Sequence, residues 1–324
     1  MSAAELVLLT WPDYIAPENL AAFEAESGVR VRLEVVPSAV EMVERVRRGP
    51  PVDVLAPPDY AVRELAAEGR LLQIDRAALP NAANLAPEFV GNRPHDVGDR
   101  FSVPKDWGTT GYLLRKDRVE RPATAWADFW RLAAECPGKA CVLDSPGEVI
   151  GAALKMRGGS YNSVDPEDLA RARDDLLALR PHLLAFETDY KPLLASARAW
   201  LALGWNGDAV ALRRMGHPIR YVLPAEGSQT WEDDWAIASD SSHPAEAHSF
   251  LDFMLRPEVA AVEAAYTGYA TPNRAALGLL PVEARQDVST YPPPNLRTRL
   301  EHGLPLEAEG ARLRAEIWRE VRGA

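Results

Sequence analysis

Between Leu6 and Ala56 the chain alternates short apolar runs with stretches of helical period, and this alternation limits its fold more than any other feature. Leu6-Val7-Leu8-Leu9, Val29 to Val35 and Val52-Asp53-Val54-Leu55-Ala56 are predicted strands, separated by helices from Pro17-Glu18 to Gly28 and from Ala39 to Arg48. A strand, a helix and a strand in succession bury their apolar surfaces together only as a parallel sheet with crossover helices on its faces, so an α/β fold is expected. Proline suits the first turn of a helix and glycine its end, which sets the bounds of the first helix. The first and third runs end in Trp11-Pro12-Asp13-Tyr14 and Pro57-Pro58-Asp59-Tyr60. Ligands of open parallel sheets bind beyond the carboxyl ends of the strands, which makes Trp11, Tyr14 and Tyr60 candidate ligand contacts. Taken alone, each of them is better explained by turn or core packing.

A chain of 324 residues exceeds the usual size of a single core, so two lobes are expected. The extended run Phe101 to Leu114 is a candidate crossing, and a second follows Trp235. The expected lobes are therefore 1–107 with 236–285, and 108–235 with 286–324.

Further along, Trp231-Glu232-Asp233-Asp234-Trp235 sets three successive carboxylates between two indoles. Such a run repels itself unless a cation or solvent compensates it, and an aromatic face attracts cations, so this is the chemistry of an organic ammonium site. A solvated turn with two tryptophans plugging the core is the alternative. Trp205-Asn206-Gly207-Asp208 repeats the pairing of indole and acid at the end of another apolar run. In an extended strand Trp231 and Asp233 share a face, while Glu232 and Asp234 are expected to face solvent or the lobe surface. Asp144 and Glu148 lie at a predicted strand end and helix start, where an acid serves either a ligand or the helix dipole.

Net charge is 36 − 47 = −11, which disfavours nucleic acid and anionic membranes as partners and suits a cationic small ligand. Cys136 and Cys141 could close a disulfide around a turn but supply too few ligands for a metal. No phosphate-binding glycine loop, nucleophile elbow or metal-spaced histidine pair is present, so no cofactor, no metal and no enzyme activity are expected. No stretch approaches the ~20 apolar residues of a membrane span. Met1-Ser2-Ala3-Ala4-Glu5 leads directly into the first strand without a leader pattern, so the expectation is that a leader has been removed or that the protein is cytosolic.

Several stretches together resemble the periplasmic spermidine/putrescine-binding proteins of polyamine ABC importers, in the family's order over nearly the whole chain. They are Trp11-Pro12-Asp13-Tyr14-Ile15-Ala16-Pro17, Asp53-Val54-Leu55-Ala56-Pro57 with Tyr60, Val103-Pro104-Lys105-Asp106-Trp107-Gly108-Thr109-Thr110, and Thr124-Ala125-Trp126-Ala127-Asp128-Phe129-Trp130. The later ones are Trp205-Asn206-Gly207, Pro224-Ala225-Glu226-Gly227 with Trp231-Glu232-Asp233, Phe253-Met254-Leu255-Arg256-Pro257, and Gly268-Tyr269-Ala270-Thr271-Pro272-Asn273. The resemblance implies a two-lobed periplasmic-binding-protein fold with a ligand cleft between α/β lobes. It implies an aromatic box of Trp11, Tyr14, Tyr60, Trp205, Trp231 and Tyr269, with Glu148 and Asp233 as amine-binding carboxylates. Pro12 and Pro58 stand where the family commonly has hydroxyl residues. Ser145 stands where it has an acid, leaving Asp144 as the neighbouring carboxylate, and losing that acid bears most on a longer, triply charged polyamine. The implied function is capture of a cationic amine by a monomer that delivers it to a transporter permease; a cytosolic enzyme or a ligand sensor on the same scaffold is the alternative.

Overall fold

The computed structural model describes residues 4–323. Met1–Ser2–Ala3, part of the N-terminal stretch considered above, lie outside the described residues. Twelve strands are found among the described residues: β1 (Glu5–Thr10), β2 (Arg30–Val35), β3 (Val54–Leu55), β4 (Asn92–Arg93), β5 (Asp96–Val97), β6 (Ser102–Arg115), β7 (Ala140–Val142), β8 (Leu183–Phe186), β9 (Leu201–Trp205), β10 (Ile219–Val222), β11 (Gln229–Ile237) and β12 (Glu301–His302). The chain divides into two compact units, Met1–Trp107 with Glu232–Gln286, and Gly108–Trp231 with Asp287–Ala324. It passes between them inside β6, inside β11 and after Gln286.

In the first unit β1 pairs in parallel with β2, Leu6 opposite Val31, and with β3, Leu8 opposite Val54. β11 joins the other side of β3 antiparallel, Ala236 opposite Leu55. The strand–helix alternation at the start of the chain therefore became the parallel part of this sheet. Because successive strand side chains point to opposite faces, Leu8, Val54 and Ile237 enter one apolar layer with Phe23, Phe250 and Trp235. Leu9, Leu55 and Ala236 enter the other, with Met42, Val62 and Leu65. The helix Pro17–Ser27 opens with proline and closes on Gly28 at φ 72°, a left-handed conformation that glycine adopts without steric cost.

In the second unit the strand pairing is mixed. β6 pairs antiparallel with β9 and with β10, and β7 lies parallel to both β9 and β8. The helix Pro166–Leu179 is capped by the Asp165 carboxylate, which accepts from the backbone N–H of Glu167 and Asp168 at 2.9 and 3.1 Å. Such a cap satisfies donors that have no partner within the helix.

The sequence pattern placed the second crossing after Trp235. In the structure Glu232 to Trp235 pack with the first unit, because Asp233 bridges Pro58 and the Asp234 N–H donates to the Pro57 carbonyl at 2.9 Å. Cys136 and Cys141 are free thiols, and burial pushes the Cys141 thiol up to about 12. Among the described residues no helix is long and apolar enough to cross a membrane.

Candidate functional site

In the first unit the candidate residues gather where β1, β6 and β11 end or pass. After β1 the chain turns through Asp13 at φ 54°, a left-handed conformation that aspartate tolerates better than most residues. Trp11 and Tyr14 flank this turn, and both meet Asp233. The Trp11 indole Nε1 donates to Asp233 Oδ2 at 3.0 Å, and the Tyr14 hydroxyl lies 2.8 Å from the same oxygen. The Tyr14 hydroxyl is also 2.6 Å from Asp106 Oδ1. Tyr269 meets Tyr14 edge-on, with ring centroids 5.9 Å apart. Tyr60 stands in the first turn of the helix Asp59–Ala67 with 52% of its surface exposed.

Behind Tyr14 lies Lys105, with its Nζ 3.8 Å from the Tyr14 ring centroid. The ammonium pairs with Asp106 Oδ2 at 2.7 Å and Glu263 Oε1 at 3.3 Å. Burial works against its charge, but Asp106 and Glu263 outweigh burial and hold its pKa above the ordinary lysine value. Asp233 is the reverse case. Burial and the Asp106 charge push it up to about 8, against the lowering effect of Tyr14, Trp11 and Lys105. Neither Lys105 nor Asp106 was assigned a role from the sequence; the signal was a pair of adjacent opposite charges inside a strand that is buried along its whole length.

The other face of β11 departs from expectation. Glu232 and Asp234 do not point to solvent: their exposures are 2% and 0%. They turn inward onto Arg93, at the tip of the hairpin formed by β4 and β5. The guanidinium donates to Glu232 Oε1 at 3.0 Å, to the Asp234 carboxylate, to Asp99 Oδ1 at 3.0 Å and to the Ser102 carbonyl at 2.9 Å. His95 Nε2 is 2.8 Å from Asp234 Oδ2. Burial opposes the histidine's charge, yet Asp234 and Glu232 raise its pKa to about 10. Burial likewise opposes ionisation of Asp234, but Arg93 and His95 hold it below the ordinary carboxylate value. His95, Glu232 and Asp234 bring ligand atoms within 4.8 Å of one another, and the Arg93 guanidinium already pairs with both acids. The group forms an ion-pair network. Sequence reasoning missed it because Arg93 and His95 sit about 140 positions away from the acids they neutralise.

The second unit carries a separate constellation of aromatics and an acid. Glu148, in the first turn of the helix Pro146–Met156, accepts from Trp205 Nε1 at 3.2 Å and from the Tyr161 hydroxyl at 3.2 Å. With its amide nitrogen turned to Glu148, Gln229 donates to both carboxylate oxygens, at 2.7 and 3.1 Å. The Trp231 indole packs against Gly108, where any Cβ would collide with it. Asp208 does not line this group. It accepts from Tyr190 at 2.6 Å and pairs with Lys191 at 3.2 Å, while the Tyr190 oxygen accepts the Trp205 backbone N–H at 2.8 Å. Asp208 thus anchors the strand end that presents Trp205. Asp144 is not drawn in either, since its exposed carboxylate pairs with Arg322 of the C-terminal helix at 3.3 Å. Tyr161 and Gln229 carried no distinctive sequence signal.

A sequence model of the bacterial extracellular solute-binding proteins matches residues 18–288. The spermidine/putrescine-binding periplasmic protein of Escherichia coli K12 is 34% identical over 292 residues, covering 89% of this chain and 83% of that protein. The putrescine/agmatine-binding protein of Pseudomonas aeruginosa is 32% identical over 337 residues, covering 97% and 91%. Among solved structures, the spermidine/putrescine ABC transporter substrate-binding protein of Streptococcus pneumoniae superposes with a TM-score of 0.90 at 30% identity over 99% of both chains.

Proposed function

Because the chain belongs to the bacterial extracellular solute-binding proteins, a family of binding proteins rather than enzymes, we propose that it captures a small cationic amine for an ABC importer, working as a monomer in the periplasm. The observation that carries this is Asp233, a buried carboxylate whose hydrogen-bond partners, Trp11 and Tyr14, are both uncharged. A buried acid in that position gains most from an incoming cation. The aromatic surfaces of Trp11, Tyr14, Tyr60 and Tyr269 offer the methylene chain an apolar lining and the ammonium a negative quadrupole. Glu148 with Trp205 and Trp231 provides the same chemistry in the second unit. Relatives that bind putrescine, spermidine and agmatine support the ligand class.

Chain length of the ligand follows from the acids. Asp144 is paired with Arg322 and its neighbour is a serine, so fewer carboxylates are available for a third ammonium, and a diamine is favoured over spermidine. Calorimetry against putrescine, cadaverine, agmatine, spermidine and simple amino acids tests this. Binding of a diamine more tightly than spermidine is expected; failure of every amine alongside binding of an anion refutes the function.

A further inference from the structure

We propose that Asp106 is a positioning residue of the amine site: Asp106 and Asp233 hold one proton between them across the Tyr14 hydroxyl, and an ammonium docking on Asp233 displaces that proton to solvent. The proposal rests on the function given above and adds a second carboxylate and a proton to it.

The geometry requires the extra proton. A tyrosine hydroxyl has one hydrogen to donate, yet the Tyr14 oxygen lies 2.6 Å from Asp106 Oδ1 and 2.8 Å from Asp233 Oδ2. With both acids ionised, one of these short contacts would set lone pair against lone pair. A proton on one carboxyl supplies the missing donor, and two carboxyl groups close together in a buried site cannot both ionise cheaply. The charges around them agree. Glu263, from the helix Pro257–Thr267, and Asp106 share the Lys105 ammonium. Among the described residues, that leaves Asp106, Asp233 and Glu263 facing one fixed cation. Trp11, Tyr269 and Trp235 add neutral rings. Arg93 and His95 face the neighbours of Asp233 on the opposite side of β11. Burial and the Asp106 charge accordingly raise Asp233 to about 8.

The step balances simply. The protonated carboxyl loses its hydrogen to buffer, the carboxylate keeps the O–H electron pair, and the ligand ammonium with all its hydrogens takes the vacated place. Nothing is oxidised or reduced. Below the raised pKa the observed affinity should then climb up to about tenfold per pH unit, the linkage expected for release of one proton.

The test is calorimetric titration of putrescine into the full chain at pH 6.5 and pH 9, each in two buffers of different ionisation enthalpy. Release of close to one proton is expected at pH 6.5, falling towards none at pH 9. Asp106→Asn retains an acceptor for Tyr14 but removes the charge, so its binding should proceed with little proton release and a flattened pH profile, although more weakly at high pH. Infrared difference spectra of the unaltered protein at pH 6.5 give a readout that needs no variant: putrescine should abolish a protonated-carboxyl band. Binding without proton release at pH 6.5, or unchanged release in Asp106→Asn, overturns the proposal while leaving amine capture intact. Failure to bind any amine at any pH overturns amine capture itself, and the proton with it.

Discussion

The two faces of β11 present neighbouring carboxylates to opposite environments. On one, Glu232 and Asp234 meet the Arg93 guanidinium and the His95 ring, and the Asp234 pKa is held down. On the other, Asp233 meets a neutral indole, a tyrosine hydroxyl and the repulsion of Asp106, and its pKa is pushed up. All three acids are almost wholly buried. Burial therefore does not separate the two faces; the supply of fixed cations does. Arg93 is hydrogen-bonded directly to Glu232 and Asp234, whereas Lys105 lowers Asp233 too little to offset burial and the Asp106 charge.

The largest effect should come from breaking the compensated face. Arg93→Met takes the shared guanidinium away from four buried acids, Asp96, Asp99, Glu232 and Asp234, leaving His95 to Glu232 and Asp234 and Arg76 to Asp99. Removing one partner of a buried pair costs about 3–5 kcal/mol, so urea unfolding should show a loss of that size; stability like that of the unaltered protein would mean the network is not what neutralises these acids. Asp234→Ala should cost about 1–3 kcal/mol for the partners it leaves, yet change amine affinity little in the folded fraction. Asp233→Ala should invert this pattern. Amine affinity should fall about tenfold to a hundredfold, from loss of a charge-assisted hydrogen bond worth roughly 1.5–3 kcal/mol, while thermal stability holds. If Asp234→Ala proves the more damaged in binding at equal melting temperature, the assignment of faces is wrong.

Smaller, and separable by sign, is the response to pH. His95 has a folded pKa raised to about 10, so its stabilisation is complete below its ordinary value near 6.5 and is lost as pH rises towards 10. Asp233 holds its proton more tightly when folded, so its contribution is present below its ordinary range and drains away as pH rises from about 4 to 8. Asp234, held down, acts oppositely: its contribution is present above its ordinary value and fades as pH falls through its lowered one. Melting temperature of the free protein should therefore decline through the alkaline range, and Asp233→Asn should remove the part below pH 8 while leaving the His95 part. A profile that Asp233→Asn leaves unaltered would break the contrast. Smallest of all, Tyr60→Ala should shift stability by less than about 0.5 kcal/mol, since the ring is half exposed, and lower amine affinity only a few-fold in the same calorimetric series.

Much of the fold was legible in the residues themselves. The alternation from Leu6 to Ala56, the proline and glycine bounds of the first helix and the two-residue period of β11 all rest on interactions within a few positions along the chain. Backbone geometry dictates these whatever the rest of the molecule does. The period of β11 placed Asp233 opposite Glu232 and Asp234, and the structure has them so.

What faced each side was decided only in three dimensions. Arg93 reaches Glu232 across 139 positions, and Tyr14 reaches Asp106 across 92. Asp144, attractive in the sequence as a neighbour of Glu148, is claimed by Arg322, and Asp208 by Tyr190 and Lys191. A carboxylate looks the same in a sequence whether or not a cation awaits it. Its charge state and its use depend on desolvation and on Coulomb interactions over a few ångströms, and those distances exist only once remote segments have packed together.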